Sequence, residues 1–254
     1  MISIVVPAYN EQWRIPAFLS ELECFIGKHP GLISEVIVVD DGSRDATVER
    51  CLYFSQRLPL RMERLMQNEG KWTAIHHGIS VARTDAVLIL DADGSASVFE
   101  LESLNLDTIL RSKIVVWGTR FSKLSTVEGK SILRSIVSRG YKLYVSECYW
   151  LARGKWSVIE DFQCPWKLIY KSELGRELVA ERFSGDLDLA LARSKGTLIN
   201  HPVNFVHKVG GSIRLATVWS MAVETMRVVR FQRKFDKAVK NGTVSSDVAN
   251  GEQQ

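Results

Sequence analysis

The sequence predicts an α/β fold, a mainly parallel sheet with helices on both faces. Three observations predict it. Short apolar runs without polar alternation recur through the first half, as in strands buried on both sides. Segments of helical periodicity separate those runs, giving strand, helix, strand, helix in order. Each run ends in polar residues, where a parallel sheet meets its ligands.

Ser3 to Pro7 is the first run, and Tyr9-Asn10-Glu11 makes the polar loop after it. A helix is predicted over 15–26, with Phe18, Leu19, Leu22, Phe25 and Ile26 on one face. Val36 to Val39 is the second strand, ending at Asp40-Asp41-Gly42-Ser43, with a helix at 45–52. A third strand is expected over 60–65, then the loop "QNEGKW" and a helix over 73–82. Val87 to Leu90 is the fourth, delivering Asp91 and Asp93. The second half is less regular. Strands are expected at 114–118, 167–170 and 198–205, and helices at 131–150, 186–194 and 217–240. The polar segment 241–254 reads as a disordered tail. Residues 1–215 are expected to form one domain and 216–240 a basic amphipathic helix.

The bulk composition suits an ordinary globular protein: 254 residues, 46% hydrophobic and 24% charged, with a net charge of +4. That basic excess is too small to argue for nucleic acid. Cys24, Cys51, Cys148 and Cys164 are scattered, with no C-x-x-C pair and no zinc spacing. They read as reduced thiols in a cytosolic setting, with no signal peptide expected before the first strand. No apolar run approaches the roughly 20 residues of a spanning helix.

Asp91 and Asp93 pose the chemical question. Like charges this close repel and resist burial, so a cation or water has to meet them. Asp-x-Asp at a strand end holds Mg²⁺ or Mn²⁺ through hard oxygens, the rest of the shell coming from water and substrate phosphates. Alone, the pattern equally suits a solvated turn. Asp41 weakens that alternative by offering an acceptor for a base N–H or ribose hydroxyl at a second strand end, with Pro7, Ala8 and Tyr9 as a wall, although taken alone it equally suits an Asx turn beside Gly42. Neither a G-x-G-x-x-G nor a P-loop motif is present.

In order and spacing, "IVVPAYNE", "VIVVDDGSRDAT", "NEGKWTAIHHGI" and "LILDADG" resemble family 2 glycosyltransferases of GT-A fold. "WGTRF", "DFQCPWKLIYKSE", "GDLDLALARSKG", "PVNF" and "GGSIR" are similar to segments of the branch that glycosylates polyprenyl phosphates. Asp-Ala-Asp-Gly particularly resembles dolichyl-phosphate β-glucosyltransferases. The resemblance spans about residues 2 to 235.

The resemblance implies an inverting transfer of a hexose, glucose in that branch, from a nucleotide-diphosphate sugar to a polyprenyl phosphate. By matching position, Pro7, Tyr9, Glu11, Val39, Asp41 and Lys71 would bind the nucleotide. Asp91, Ala92 and Asp93 would meet the diphosphate, the two aspartates holding Mg²⁺ or Mn²⁺. Arg120 would face both phosphates, Arg134 and Ser138 the acceptor phosphate, and Arg214 would close over the diphosphate. Arginine forks suit phosphate oxygens. A phosphate acceptor is already an anion, so it needs no strong general base.

Departures from the family pattern fall at Trp72, where a small residue is usual, at Pro165-Trp166, where Gly-Phe is usual, and at Ser95, where mannosyl relatives have Gln. Asp186 and Asp188 both remain candidates for the family's acidic helix. Glu160-Asp161 reads as an exposed acidic pair, or as the base of a rival enzyme acting on a hydroxyl acceptor. A nucleotide-sugar-binding protein with little turnover is the other rival. The last helix has Val218, Met221, Ala222, Val229 and Phe235 on one stripe and Arg227, Arg230, Lys234 and Lys237 on another. It equally suits the cytosolic face of a membrane and packing of its apolar stripe on the domain with the charges in solvent, and one helix can do each with a different face. A membrane-protein partner is compatible with that placement.

Overall fold

A computed structural model of the chain describes residues 1–128, 132–193, 196–206 and 215–243, with the side chains of 128, 132–138 and 215–218 outside the description. Its first half runs β1 (Ile2–Ala8), α1 (Ile15–Lys28), β2 (Ile33–Asp40), α2 (Thr47–Phe54), β3 (Leu60–Arg64), α3 (Lys71–Val81) and β4 (Ala86–Ile89). Then come a 3-10 turn at Val98–Ser103, α4 (Leu106–Arg111), β5 (Val115–Thr119), β6 (Val127–Glu128) and α5 (Ile132–Arg153). The chain continues with β7 (Lys167–Tyr170), α6 (Gly185–Ala192), β8 (Leu198–Pro202), β9 (Phe205–Val206) and α7 (Leu215–Lys240).

Seven strands form one sheet in the order β3-β2-β1-β4-β7-β5-β8, while β6 and β9 pair separately. The pairs β1–β2, β2–β3, β1–β4 and β5–β8 are parallel; β7 runs antiparallel to both β4 and β5. Connections β1-α1-β2-α2-β3 advance in one direction and β3-α3-β4 returns across the start. Right-handed crossovers therefore put α1 and α2 on one face and α3 on the other. The strand order reverses between β1 and β4, and a crevice opens at such a point.

The strands read as they do because they are buried on both faces: every residue of β1 and β4 is buried, and Val36 to Val39 are fully so. Pro7 is tolerated in a central strand because it lies past Ser3–Val5, the residues that β4 pairs. The sheet is already opening there.

Two differences from the sequence reading have nonlocal causes. Helix α3 starts at Lys71, two residues early, because Glu181 O accepts from the Trp72 and Thr73 amides. The single late strand expected over 198–205 divides at Asn204, whose backbone and side-chain N–H groups both donate to Glu100 Oε1. The turn at Val98–Ser103 and helix α4 are additions, capped by Ser97 and Asn105 accepting from the Phe99 and Thr108 amides.

Helix α7 packs on α5 and α6 through buried Thr225, Val228, Val229 and Gln232. Among the described residues no helix is long and apolar enough to cross a membrane.

Candidate active site

Three strand ends and the loop before α3 open onto one crevice of about 410 Å³. β1 contributes Pro7, Ala8, Tyr9 and Glu11; β2 contributes Asp41; β4 contributes Asp91, Ala92 and Asp93. Asn68, Gly70 and Lys71 form one side, and Arg182 with Phe183 close the wall.

Backbone ties between loops fix this shape. Asp41 accepts from the Glu69 and Gly70 amides and from Asn68 Nδ2, at 2.7 to 3.2 Å. Asn10 donates its amide to Ser43 Oγ and accepts from the Arg44 amide, joining the loops after β1 and β2. Gly70 has φ 113°, and a Cβ there would lie 2.5 Å from Arg182 Cγ and 2.6 Å from Glu181 O. No larger residue fits that close approach.

Electrostatically the crevice is a set of facing charges. Lys71 Nζ lies 2.6 Å from Asp91 Oδ1; burial opposes its charge, and Asp91 more than offsets this to hold the ammonium above its ordinary pKa. Arg14 forks onto Glu11 at 2.5 and 2.6 Å and lies 3.9 Å from Asp93 Oδ2. Burial pushes the Glu11 carboxyl up despite Arg14, and Asp93 and Asp91 add to the push. Asp93 Oδ1 accepts from the Ser95 amide at 2.9 Å.

Beneath this set, Lys167 is fully buried on β7, 2.7 Å from Asp186 Oδ1 on α6 and 5.0 Å from the Trp117 ring. Burial raises the Asp186 carboxyl against the pull of Lys167 and Lys71.

Asp91 and Asp93 fit a hard divalent cation. Asp91 Oδ1 is buried and faces the Lys71 ammonium at 2.6 Å. No cluster of three or more His, Cys, Asp or Glu that could hold a metal occurs among the described residues. Two carboxylates suit a metal that draws its other ligands from water and phosphate.

Of the residues singled out in the sequence, Pro7, Tyr9, Glu11, Asp41, Lys71, Asp91, Ala92 and Asp93 meet in this crevice. Val39 does not line it; its side chain is fully buried in the sheet, where the backbone pairs with Pro7 and Glu63. Arg120, at the end of β5, forks onto Asp161 at 2.6 and 2.9 Å. Arg134 and Ser138 lie on α5, but their side chains, like Arg214 entirely, are outside the described residues, as is the tail beyond residue 243.

The exposed acidic pair expected at Glu160-Asp161 is corrected by half. Glu160 is exposed, whereas Asp161 is buried, because the Arg120 guanidinium and the Arg120 amide occupy its carboxylate. Trp72 neither lines nor caps the crevice. Its buried indole lies against Gly185, where a Cβ would stand 1.8 Å from Trp72 Cδ2. Trp166 is likewise buried and donates its indole N–H to Ser97 O at 3.1 Å. Asp186 and Asp188 separate clearly: Asp186 meets Lys167 near the crevice. Asp188 is fully buried, ion-paired with Arg176 at 2.8 Å and capping the Val179 and Ala180 amides.

Sequence reasoning missed Arg14, Asn68, Arg182 and Phe183. Asn68 and Arg14 adjoin recognised motifs; Arg182 and Phe183 lie in an irregular segment whose neighbours are distant in sequence.

Residues 3–145 match the family model described as Glycosyl transferase family 2. A dolichyl-phosphate beta-glucosyltransferase of Dictyostelium discoideum is 30% identical over 220 residues, covering 80% of this chain and 64% of the relative. The Homo sapiens protein of that name is 30% identical over 204 residues, covering 74% and 61%. The chain therefore spans less than two thirds of the length of these curated relatives. Among solved structures, glucosyl-3-phosphoglycerate synthase from Mycobacterium tuberculosis, in complex with Mn²⁺, UDP-glucose and phosphoglyceric acid, has a TM-score of 0.66 at 16% identity. That match covers 92% of this chain and 80% of the other. S. aureus TarS residues 1–349 in complex with UDP-GlcNAc has a TM-score of 0.58 at 18% identity, covering 91% and 66%. At these identities the likeness to both is one of fold.

Proposed function

The chain belongs to glycosyl transferase family 2, and from that premise we propose that it transfers glucose from UDP-glucose to a polyprenyl phosphate with inversion. The observation that carries this reading is the meeting of Asp41, Lys71, Asp91 and Asp93 in one crevice, in a chain 30% identical to dolichyl-phosphate beta-glucosyltransferases.

Asp41 with its tied loop forms the end that receives the base, and Pro7 to Tyr9 form the adjoining wall. Asp91 and Asp93 would hold Mg²⁺ or Mn²⁺, which supplies charge stabilisation to the departing diphosphate. Lys71 adds a fixed positive charge on the same side, already oriented by Asp91. The acceptor phosphate oxygen forms the new bond to the anomeric carbon as the bond from that carbon to the diphosphate oxygen breaks, its electron pair leaving with UDP. An α-linked donor thus gives a β-linked product. Arg120, Arg134, Ser138 and Arg214 are assigned by the resemblance to the phosphates, Arg120 through its positive charge and Nη1, since Nε and Nη2 are donated to Asp161.

One observation favours a phosphate over a hydroxyl acceptor. Asp161, a candidate base for the hydroxyl reaction, is buried and bound by Arg120, and Glu160 does not line the crevice. A phosphate anion needs neither. A lipid acceptor also requires a membrane surface. We assign that contact to α7 and to the cytosolic face, the helix presenting Trp219, Val223 and Met226 beside Arg227 and Arg230.

Transfer to a short polyprenyl phosphate, compared with the matching polyprenol, tests the acceptor. The expected result is product with the phosphate alone, lost in Arg134→Ala with UDP-glucose affinity retained. Product with the alcohol, or full activity in Arg134→Ala, would contradict the reading.

A further inference from the structure

Glu224 lies on α7, outside the crevice, yet its carboxylate anchors one crevice wall. Oε1 accepts from the Glu181 and Arg182 amides at 2.7 and 2.8 Å, and Oε2 from the Phe183 amide at 2.9 Å. Charge-assisted bonds to three successive amides fix that segment's position against the helix. Ser184 Oγ adds a 2.8 Å bond to Thr225 Oγ1, and Arg227 lies 3.3 Å from Glu181 Oε1.

The 181–183 segment passes this constraint on in two directions. Glu181 O accepts from the Trp72 and Thr73 amides at 2.8 and 3.0 Å, which sets the first turn of α3 and hence Lys71. Arg182 donates to Asn68 Oδ1 and Asn68 O at 3.2 and 3.1 Å, and Asn68 Nδ2 donates to Asp41 at 2.9 Å. Arg182 and Phe183 face the crevice on one side. On the other they join Trp219, Val223 and Glu224 around a groove of about 380 Å³. The wall is one segment thick, with α7 behind it.

Docking α7 does not by itself require this carboxylate, since Val228 and Val229 already bury the apolar face. An acid aimed at three loop amides instead determines where the loop stands. We propose that Glu224 is a positioning residue for the nucleotide-sugar pocket, setting the Arg182–Phe183 wall and the start of α3, so that the seating of α7 governs donor affinity. The inference rests on the donor half of the reading above and is independent of the acceptor.

The test is titration of UDP and UDP-glucose with Mn²⁺ by calorimetry, beside steady-state transfer kinetics. Glu224→Ala is expected to raise donor Kd and KM about tenfold, the scale of one lost charge-assisted hydrogen bond. Its KM for the lipid acceptor, which does not touch this wall, should stay within about twofold of wild type. Glu224→Gln, which keeps one acceptor oxygen, should fall between. Arg182→Ala should also raise Kd, and the double variant with Glu224→Ala should add little to it, because both act through one segment. If Glu224→Ala does not fold, Glu224→Gln alone and combined with Arg182→Ala carry the same comparison. A lower melting temperature with unchanged donor Kd and KM would reduce Glu224 to a structural tie and overturn the inference. Wild-type protein that binds UDP-glucose but yields no lipid product would sink the acceptor reading alone, and the Kd comparison would still decide this one. Wild-type protein with no affinity for either uridine nucleotide would overturn the donor reading and this inference together.

Discussion

Asp186 and Asp188 stand two residues apart on one short helix and meet different neighbours. Asp186 faces Lys167 and the charges under the crevice; Asp188 faces Arg176 and two amides in the interior. Spacing alone left them equivalent, because which side of α6 faces the crevice is set by the elements packed around it. Trp72 and Gly185 teach the same lesson across 113 positions. The large residue at 72 is accommodated because position 185 has no side chain, a complementarity that no local window contains. Gly185→Ala should therefore destabilise the fold by about 1–3 kcal/mol, the usual range for overpacking. Adding Trp72→Phe should give a double variant less destabilised than the sum of the two singles. Thermal unfolding of the four proteins measures that coupling; a Gly185→Ala variant as stable as wild type would contradict the packing described.

The strands were legible for a simple reason. Runs such as Val36 to Val39 and Val87 to Leu90 are apolar because both of their faces are covered; the second ends at the half-buried Asp91, whereas Asp40 and Asp41 after the first are still buried and held by their partners. Six of the helices α1 to α7 were legible, α4 being the addition, and their orientation was less so. In α7, the expected apolar stripe contains Val229, which is buried, and Met221, Ala222 and Phe235, which are half-buried; Val218 is outside the described side chains. A second stripe, Trp219 at 74% exposed and Val223 at 55%, with Met226 a turn further on, faces outward beside Arg227 and Arg230. Periodicity cannot distinguish a packed stripe from a free one, since both recur at 3.6 residues. Vesicles containing phosphatidylserine should bind the protein in a salt-sensitive manner, each basic residue near the surface contributing about 1 kcal/mol. Trp219→Glu with Val223→Glu should abolish most of that binding with little change in melting temperature, because both side chains are exposed. Equal cosedimentation of wild type and variant would remove α7 from the membrane surface.

At the scale of the whole molecule, one sheet gathers residues from 7 to 183 into a single crevice. The reversal of strand order between β1 and β4 makes the opening. The crevice's acids were readable because they terminate strands, whereas its far wall was not, because Arg182 and Phe183 are held there by α7 and by the loop at 68–70. Asp161 was misread for a related reason: its partner Arg120 lies 41 residues away on another strand end. Organised this way, the molecule brings Asp41, Lys71, Asp91 and Asp93, far apart in sequence, into one crevice. The most direct test is the transfer of labelled glucose from UDP-glucose into a lipid-extractable product, using polyprenyl phosphate and Mn²⁺ with wild-type protein and Asp93→Ala. Metal-dependent product with wild type, reduced at least about a hundredfold in Asp93→Ala as expected when transition-state charge stabilisation is removed, is the predicted result. Undiminished product in Asp93→Ala, or no lipid product from a wild-type protein that binds UDP-glucose, would contradict it.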